Sequence, residues 1–295
     1  MGATVVIGFD GLSQGVDAVQ LALALADEET ELVVCCVCPP AVGDRGTAVR
    51  DDAERRLRVA RELLRGRPLT RFGVRPASSP GAGLHEEAAE CGAGLLVVGS
   101  SHRGPVGRIV PGSVTRQALH AAPCAVAVAP LWLQAGESVG LEEVGVAYDG
   151  GPSSTAAMQR AAGIAREHDG HLRLLTVAET PGADWTSAWI WPPPPDAGVH
   201  TAHEDGARAA LAKLAAGVPA SVEVLHGGAA EELALASARM DLLVVGSRGY
   251  GPVRRTLLGA VSGRVAESAA CPVMVVPRTD AGRPASVHLA AAALL

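Results

Sequence analysis

The sequence predicts an α/β fold built twice, with two successive domains that each hold a five-stranded sheet of parallel type and helices on both faces. At 295 residues the chain is long enough for two ordinary domains, each with its own core. Apolar runs of strand length alternate with helical patterns, which is typical of parallel strands buried on both faces. The segment Leu95–Pro130 also recurs as Leu242–Pro277, with 17 of 36 residues identical at an offset of 147. We therefore predict domains at residues 1–138 and 139–280, followed by a tail at 281–295.

The first repeat supplies five predicted strands and the helices between them. The strands are apolar runs bounded by Gly, Pro or charged residues, namely Thr4–Phe9, Glu31–Val37, Leu69–Val74, Leu95–Val98 and Ala125–Ala129. The helices follow from three- and four-residue apolar spacing and are Ser13–Ala26, Asp51–Leu64, Leu84–Cys91 and Ser113–His120. Ser13 is a candidate N-cap, and Asp51 with Arg55 a candidate i,i+4 pair. The third strand is the most polar, so we predict it near a sheet edge.

The second repeat follows the same order. Its predicted strands are Val144–Tyr148, His171–Val177, Ser221–Leu225, Leu242–Val245 and Val273–Val276. Its predicted helices are Ser153–Glu167, His200–Ala216, Glu231–Arg239 and one that Gly259 opens. The long loop at 178–199, with three Trp residues and a run of four prolines, fits a packed loop, a lid over a site or a partner contact.

Composition narrows the classes of partner. A net charge of −6 gives no bulk attraction to nucleic acid or to an anionic membrane, so we predict neither as a partner. The chain starts directly in a strand pattern without a basic leader, which predicts a cytoplasmic location. The six cysteines lack metal-ligand spacing; five lie in or just before apolar strands and Cys91 ends a helical segment, so we predict buried, reduced thiols and no metal site.

The duplicated segment also predicts a binding site. In each copy a buried strand runs into a glycine, then into a basic glycine-rich loop and a second glycine that opens a helix. Backbone N–H groups and the helix dipole at such a place favour an anion such as phosphate. Asp10 and Asp149 end the first strand of each repeat, at the edge of a parallel sheet where ligands bind. We therefore expect one phosphate-binding site in each repeat.

Three features together resemble the universal stress protein family. They are Gly-x2-Gly-x9-Gly-Ser/Thr after an LLVVG strand, an early strand ending in Asp-Gly, and the closing PVMVVP run. The resemblance occurs in both halves, which together make up nearly the whole chain. It implies a tandem member of the family with an adenine-nucleotide α-hydrolase-like fold. It implies an ATP-binding regulatory protein of the stress response, with Mg²⁺ as an optional companion of the nucleotide.

The resemblance also implies which residues contact the nucleotide. Asp10 and Asp149 match the acid beside ribose or adenine, and Val37 and Val177 match an adenine contact. The residues that match the loop and helix start beside ribose and phosphates are, in the first repeat, Val98, Gly99, Ser101, His102, Gly112, Ser113 and Val114. Their counterparts in the second repeat are Val245, Gly246, Arg248, Gly249, Gly259, Ala260 and Val261.

Both copies depart from the family pattern at one position. His102 stands where the second glycine is expected, and Ala260 replaces the hydroxyl that would donate to phosphate. Losing one neutral hydrogen bond costs about 0.5–1.5 kcal/mol, so we expect both sites to bind, the first less securely. The basic residues of the loops either contact phosphate or face solvent; they are Arg103, Arg108, Arg248, Arg254 and Arg255.

The sequence favours a binding protein over a dedicated enzyme. It contains no GxxxxGK[ST], GxGxxG, GxSxG or HExxH pattern and no recognisable catalytic carboxylate pair. Slow ATP hydrolysis is one alternative, because Asp10 and Asp149 could hold Mg²⁺ together with the phosphates. A scaffold of the same fold that associates with proteins and binds no nucleotide is the other alternative. The last strands resemble the family's dimer edges, which predicts that the two halves pair with each other; a further homodimer is compatible with the pattern.

Overall fold

The computed structural model describes residues 3–40, 43–101, 109–131, 133, 140–178, 205–210, 212–213, 217–247 and 259–277. Its strands, numbered β1 to β10 along the chain, are Thr4–Gly8, Glu31–Cys38, Thr70–Pro76, Leu95–Gly99, Ala125–Ala129, Glu143–Ala147, His171–Ala178, Ala220–His226, Leu242–Gly246 and Val273–Val276. The helices α1 to α7 are Ser13–Leu25, Asp44–Leu63, Pro80–Glu90, Ser113–Leu119, Pro152–Glu167, Ala229–Ala236 and Ala260–Ser268. A 3₁₀ turn follows α6 at Ser237–Arg239, and residues 205–210 and 212–213 are helical.

The strands form one ten-stranded sheet in the order β3-β2-β1-β4-β5-β10-β9-β6-β7-β8. Every strand pair within a repeat is parallel, whereas β5 and β10 pair antiparallel, with Met274 opposite Ala127. The chain moves outward from β1 to β3 and then returns to the other side of β1 with β4. Strand order therefore reverses between β1 and β4, and in the second repeat between β6 and β9. The predicted α/β fold is confirmed.

Both faces of the sheet are buried, as the apolar runs predict. Alternate residues of one strand enter opposite clusters, since Ile7 belongs to the cluster beneath α1, α2 and α5, whereas Val6 belongs to the cluster beneath α3, α4, α6 and α7. Each cluster contains residues of both repeats. A strand with buried side chains on both faces needs apolar residues at every position, which explains the unbroken LLVV runs.

The polar third strand lies at a sheet edge, as predicted. β3 ends the strand order on one side. Its Arg71 pairs with Glu31 at 2.6 Å, and its Arg75 pairs with Glu87 at 2.6 Å. Charged side chains on an edge strand disfavour pairing with another chain, so these arginines protect the open edge.

The structure corrects two predictions for the helices. α2 begins at Asp44 and not at Asp51, and its ion pairs join Asp52, not Asp51, to Arg55 and Arg56. Ser13 is the first helical residue of α1 and not its cap; Leu12 holds the cap position without a capping side chain. The acceptor at this helix start is instead the carboxylate of Asp10, in the loop that precedes α1.

Several predicted features lie outside the described residues. These include most of the Trp- and Pro-containing loop and the tail at 281–295. Within the described part of the chain, no helix is long and apolar enough to cross a membrane. The same part contains no group of three or more His, Cys, Asp or Glu side chains that could hold a metal ion.

None of the six cysteines, all of which lie among the described residues, forms a disulfide, and all but Cys91 are buried. Burial raises the pKa of Cys35 and of Cys271 to about 12, because a thiolate loses its hydration inside the core. We expect a thiol-specific reagent at pH 8 to modify only Cys91 in the folded protein and all six cysteines in denaturant. The measurement is the absorbance of released thionitrobenzoate, and rapid native reaction of several thiols would contradict the buried positions.

Candidate functional site

The strand-end residues predicted for the site lie where strand order reverses in each repeat. β1 and β4 pair in parallel, with Ile7 opposite Val97, so their carboxyl ends lie side by side. Asp10 follows β1, and Gly99 ends β4. In the second repeat β6 and β9 pair in the same way and are followed by Asp149 and ended by Gly246. Ligands of open α/β sheets bind at such switch points, so the topology places one candidate site in each repeat.

Gly99 is pressed against the first turn of α1. A Cβ atom built on Gly99 would lie 2.0 Å from the carbonyl oxygen of Gln14. On Gly246 the same atom would lie 2.6 Å from the carbonyl carbon and oxygen of Ser153, at the start of α5. These neighbours are backbone atoms, so no side-chain rotation could relieve the clash. Each glycine therefore sets how closely the first helix approaches the strand that ends at the site.

In the first repeat the Asp10 carboxylate accepts two hydrogen bonds from the start of α1. The Leu12 N–H donates to Oδ1 at 3.0 Å, and the Gln14 side-chain amide donates to Oδ2 at 2.7 Å. The turn between them needs Gly11, whose φ is +80° and whose Cβ would meet the stem of Arg56 at 2.8 Å. Both oxygens of Asp10 thus have a donor from the protein.

In the second repeat a different residue holds the strand-end carboxylate. The Gly151 N–H donates to Asp149 Oδ1 at 2.9 Å, and the Ser154 hydroxyl donates to the same oxygen at 2.7 Å. Ser154 is buried, and its position corresponds to Gly15 in the first repeat. Asp149 itself is exposed. The two repeats therefore anchor equivalent carboxylates through different oxygens and different side chains.

Valines lie near the carboxyl ends of strands in each repeat. Val98 and Val245 are buried in the cluster beneath α3, α4, α6 and α7, and Val37, Val177 and Val261 are half-buried against the same cluster. The partly exposed valines Val37 and Val177, near the ends of β2 and β7, offer apolar surface at this edge of the sheet. Such a surface suits an aromatic ring, with polar groups fixing its orientation.

The helix start of the first repeat lies beside the glycine loop. Gly112 precedes α4, and a Cβ on it would lie 3.6 Å from the Cβ of Ser101. The Ser101 N–H donates to the Val110 carbonyl at 2.7 Å, which holds the two ends of the loop together. Ser113 and Val114, the first residues of α4, are exposed. These four predicted residues are therefore adjacent.

The second repeat presents its helix start in the same manner. Gly259 precedes α7, Ala260 is exposed, and Val261 follows it on the partly buried side. Among the described residues neither α4 nor α7 has a capping side chain, so the first-turn N–H groups have no side-chain acceptor there. Both starts can therefore offer backbone donors to an anion. His102, Arg248 and Gly249 lie outside the described residues, as do the other loop arginines.

Two buried hydroxyls were not among the predicted residues. Ser100 and Ser247 directly follow the site glycines, are 3% and 1% exposed, and have no hydrogen-bond partner among the described residues. A buried unpaired hydroxyl costs about 1–3 kcal/mol. The identical LLVVGS sequence in both copies is the signal that could have revealed them. Gln14 and Ser154, which hold the carboxylates, carried no such signal because they differ between the repeats.

The fold defines a tandem α/β protein with a switch point, and so a candidate binding site, in each half. The Universal stress protein family profile matches residues 1–130 and 141–277. Together these matches cover most of the chain, which therefore belongs to the universal stress protein family.

Individual relatives agree with this assignment. A universal stress protein of Mycolicibacterium smegmatis is 32% identical over 62% of this chain, and that alignment spans 61% of the relative's length. One from Mycobacterium tuberculosis is 26% identical over 93% of this chain and 99% of its own length. Among solved structures, universal stress proteins of Archaeoglobus fulgidus and Pseudomonas aeruginosa superpose with TM-scores of 0.66 and 0.65. They cover 93% and 96% of this chain and 98% and 96% of their own, at 18% and 14% identity, and so support the fold alone.

Proposed function

We propose that this chain is an ATP-binding regulatory protein with one nucleotide site at each switch point. The observation that carries the proposal is the recurrence of one arrangement in both repeats. A strand-end carboxylate lies beside a glycine pressed against the first helix, and an uncapped helix start follows the glycine loop. The carboxylate suits ribose hydroxyls, the partly exposed valines suit adenine, and the helix start suits phosphates.

The residues present fit an adenine nucleotide. Gly99 and Gly246 let the first helix of each repeat pack directly on the end of the strand, which holds the helix start close to the strand end. The Ser100 and Ser247 hydroxyls, which have no hydrogen-bond partner among the described residues, directly follow these glycines. The bound nucleotide would supply negative charge at the helix starts, and the chain's own groups would orient it. We propose Mg²⁺ only as a companion of the phosphates.

The antiparallel β5–β10 ladder joins the halves, and the Ile109 N–H donates to the Ala269 carbonyl across them at 3.0 Å. We propose that this pairing makes the single chain equivalent to a dimer of one-domain proteins. We propose that the protein acts in the cytoplasm. A further homodimer is compatible with this arrangement. We also propose that the domains divide near residue 138.

A second candidate function is a protein-binding scaffold that uses the same fold without nucleotide. The extensive contact between the repeats favours it, because that contact is independent of any ligand. Slow ATP hydrolysis is the remaining alternative, in which Asp10 and Asp149 would hold Mg²⁺ together with the phosphates.

Extraction of nucleotide from the purified protein separates these functions. We expect denatured protein to release an adenine nucleotide that mass spectrometry identifies, and nucleotide-free protein to give a calorimetric binding signal with ATP. A preparation that releases no nucleotide and gives no heat with ATP or ADP would favour the scaffold. Release of phosphate during incubation with ATP and Mg²⁺ would establish the hydrolase alternative.

A further inference from the structure

In the first repeat a half-buried valine lies next to the strand-end carboxylate. Strands β1 and β2 pair with Gly8 opposite Cys35, and the Phe9 N–H continues the ladder by donating to the Cys35 carbonyl at 3.0 Å. The same register, carried on by two residues, brings Val37 beside Asp10. The apolar surface of Val37 and the acid therefore belong to the same place at the sheet edge.

Helix α3 packs directly on this valine through Gly83. A Cβ atom built on Gly83 would lie 2.7 Å and 3.0 Å from the two methyl carbons of Val37 and 2.9 Å from the Cβ of Ala77. Carbon atoms in contact lie about 3.5–4.0 Å apart, so a methyl group on Gly83 would have to displace Val37 by about 1 Å. The missing side chain therefore allows Val37 to keep its position.

The neighbouring contacts fix α3 more firmly than the valine. The Gly81 N–H donates to the Oε1 of Gln117 in α4 at 3.2 Å. Leu84 is buried, and its Cδ1 lies 2.9 Å from where a Cβ of Gly8 in β1 would be. Val37, in contrast, is only half-buried and lies near the end of its strand. A methyl group added to α3 at this contact would therefore move the valine more readily than the helix.

The corresponding helix of the second repeat is built differently. Strands β6 and β7 pair with Ala147 opposite Leu175, so Val177 holds beside Asp149 the position that Val37 holds in the first repeat. Helix α6 has the sequence AAEELALA and contains no glycine. A Cβ atom therefore separates its backbone from the sheet at each inward position. The contact between a helix backbone and the valine is thus a feature of α3 and not of α6.

We propose that Gly83 is a positioning residue for the base of a nucleotide at the first site. This inference rests on the proposed nucleotide function, in which Val37 contacts the base. Because Gly83 has no side chain, the exposed part of Val37 stays where a flat ring can pack on it, beside the acid that holds the sugar. A purine covers more apolar surface than a pyrimidine, so displacement of Val37 affects ATP more than CTP.

A double-mutant cycle between positions 83 and 37 tests this proposal. Gly83→Ala, Val37→Ala and the pair are made in the full-length chain with Asp149→Asn, which weakens the second site, and calorimetry gives the affinities for ATP and CTP. We expect Gly83→Ala to weaken ATP binding about tenfold when Val37 is present and to have little effect when Val37 is already alanine. The affinity for CTP should fall less than the affinity for ATP.

Gly73→Ala is the matched control, because apart from its chain neighbours no described atom lies within 4 Å of a Cβ built on Gly73 in β3. This variant should bind ATP as its parent does. Thermal unfolding shows which variants fold. If Gly83→Ala alone does not fold, the comparison of Val37→Ala with the double variant still decides, since the pair lacks both methyl groups of Val37 and should bind ATP as Val37→Ala does.

Two results would overturn the positioning role and leave the proposed function intact. One is a loss of ATP affinity from Gly83→Ala that is the same with valine or alanine at position 37, and the other is an unchanged ATP affinity in Gly83→Ala. Equal losses for ATP and CTP would also contradict it. If the wild type binds ATP and the Asp149→Asn parent does not, this inference is wrong and the second site alone carries the function. If neither binds ATP, the proposed function is wrong as well.

Discussion

Gly99→Ala is expected to destabilise the protein by about 3 kcal/mol, although it adds only one methyl group. The added Cβ would lie 2.0 Å from the Gln14 carbonyl oxygen, so α1 would have to move away from β4. Gly246→Ala is expected to act in the same direction at α5, where the nearest backbone atoms are 2.6 Å away. Urea unfolding measures the loss of stability, and ATP calorimetry on the folded fraction measures the accompanying loss of binding.

Gly163→Ala is the matched control for this substitution. Gly163 lies within α5, and apart from its chain neighbours and the backbone of its own helix no described atom falls within 4 Å of a Cβ built there. Alanine in a helix interior is more favourable than glycine by about 1 kcal/mol, so this variant should unfold at slightly higher urea. Equal unfolding of Gly99→Ala and Gly163→Ala would show that the close contact between helix and strand is absent in solution.

Asp149→Asn is expected to weaken ATP binding at the second site about 10- to 100-fold, the range of a lost hydrogen bond to a charged acceptor. The asparagine Oδ1 can still accept from the Gly151 N–H and the Ser154 hydroxyl, so the turn is preserved. The other oxygen becomes an NH₂ donor, which opposes a ribose hydroxyl donor. Calorimetry with ATP provides the affinities, and circular dichroism checks the fold.

Cys271→Ser provides the comparison for Asp149→Asn. Cys271 is 3% exposed, precedes β10, and donates through its thiol to the Pro272 carbonyl at 3.3 Å. A serine there can alter core packing but should leave ATP affinity unchanged. If both substitutions reduce affinity equally, the loss reflects stability and the assignment of Asp149 to the ligand is wrong.

Much of the fold could be predicted because the strands are buried on both faces. Strands β4, β5, β9 and β10 lie within one residue of their predicted bounds. The start of α2 was missed because the loop around it is rich in glycine, proline and charge, and Gly46 lies inside the helix. Local propensity opposes a helix there, and packing of the α2 residues Ala53, Leu57 and Ala60 into the core overrides it.

The sequence was sufficient to predict which strands and loops come together at the site. Asp10 and Gly99 are far apart in sequence, yet both follow parallel strands, and the carboxyl ends of parallel strands share one edge. The partners of the carboxylates could not be predicted in the same way. Both repeats make the same turn, with a φ of +80° at Gly11 and +79° at Gly150, yet Gln14 reaches the acid in the first repeat and Ser154 in the second.

The amino-acid sequence alone determined the duplication, the alternation of strands and helices, the polar edge strand and the two glycine loops. Hydrophobic periodicity reports which faces of each element are buried, and identity between repeats reports what recurs. Only the tertiary structure decided the register in which β5 and β10 pair, that Gly99 packs against Gln14, and that the Gln14 amide donates to Asp10 Oδ2. These features are contacts between distant atoms at distances of a few ångströms, which depend on how the elements pack and not on the pattern within any one of them.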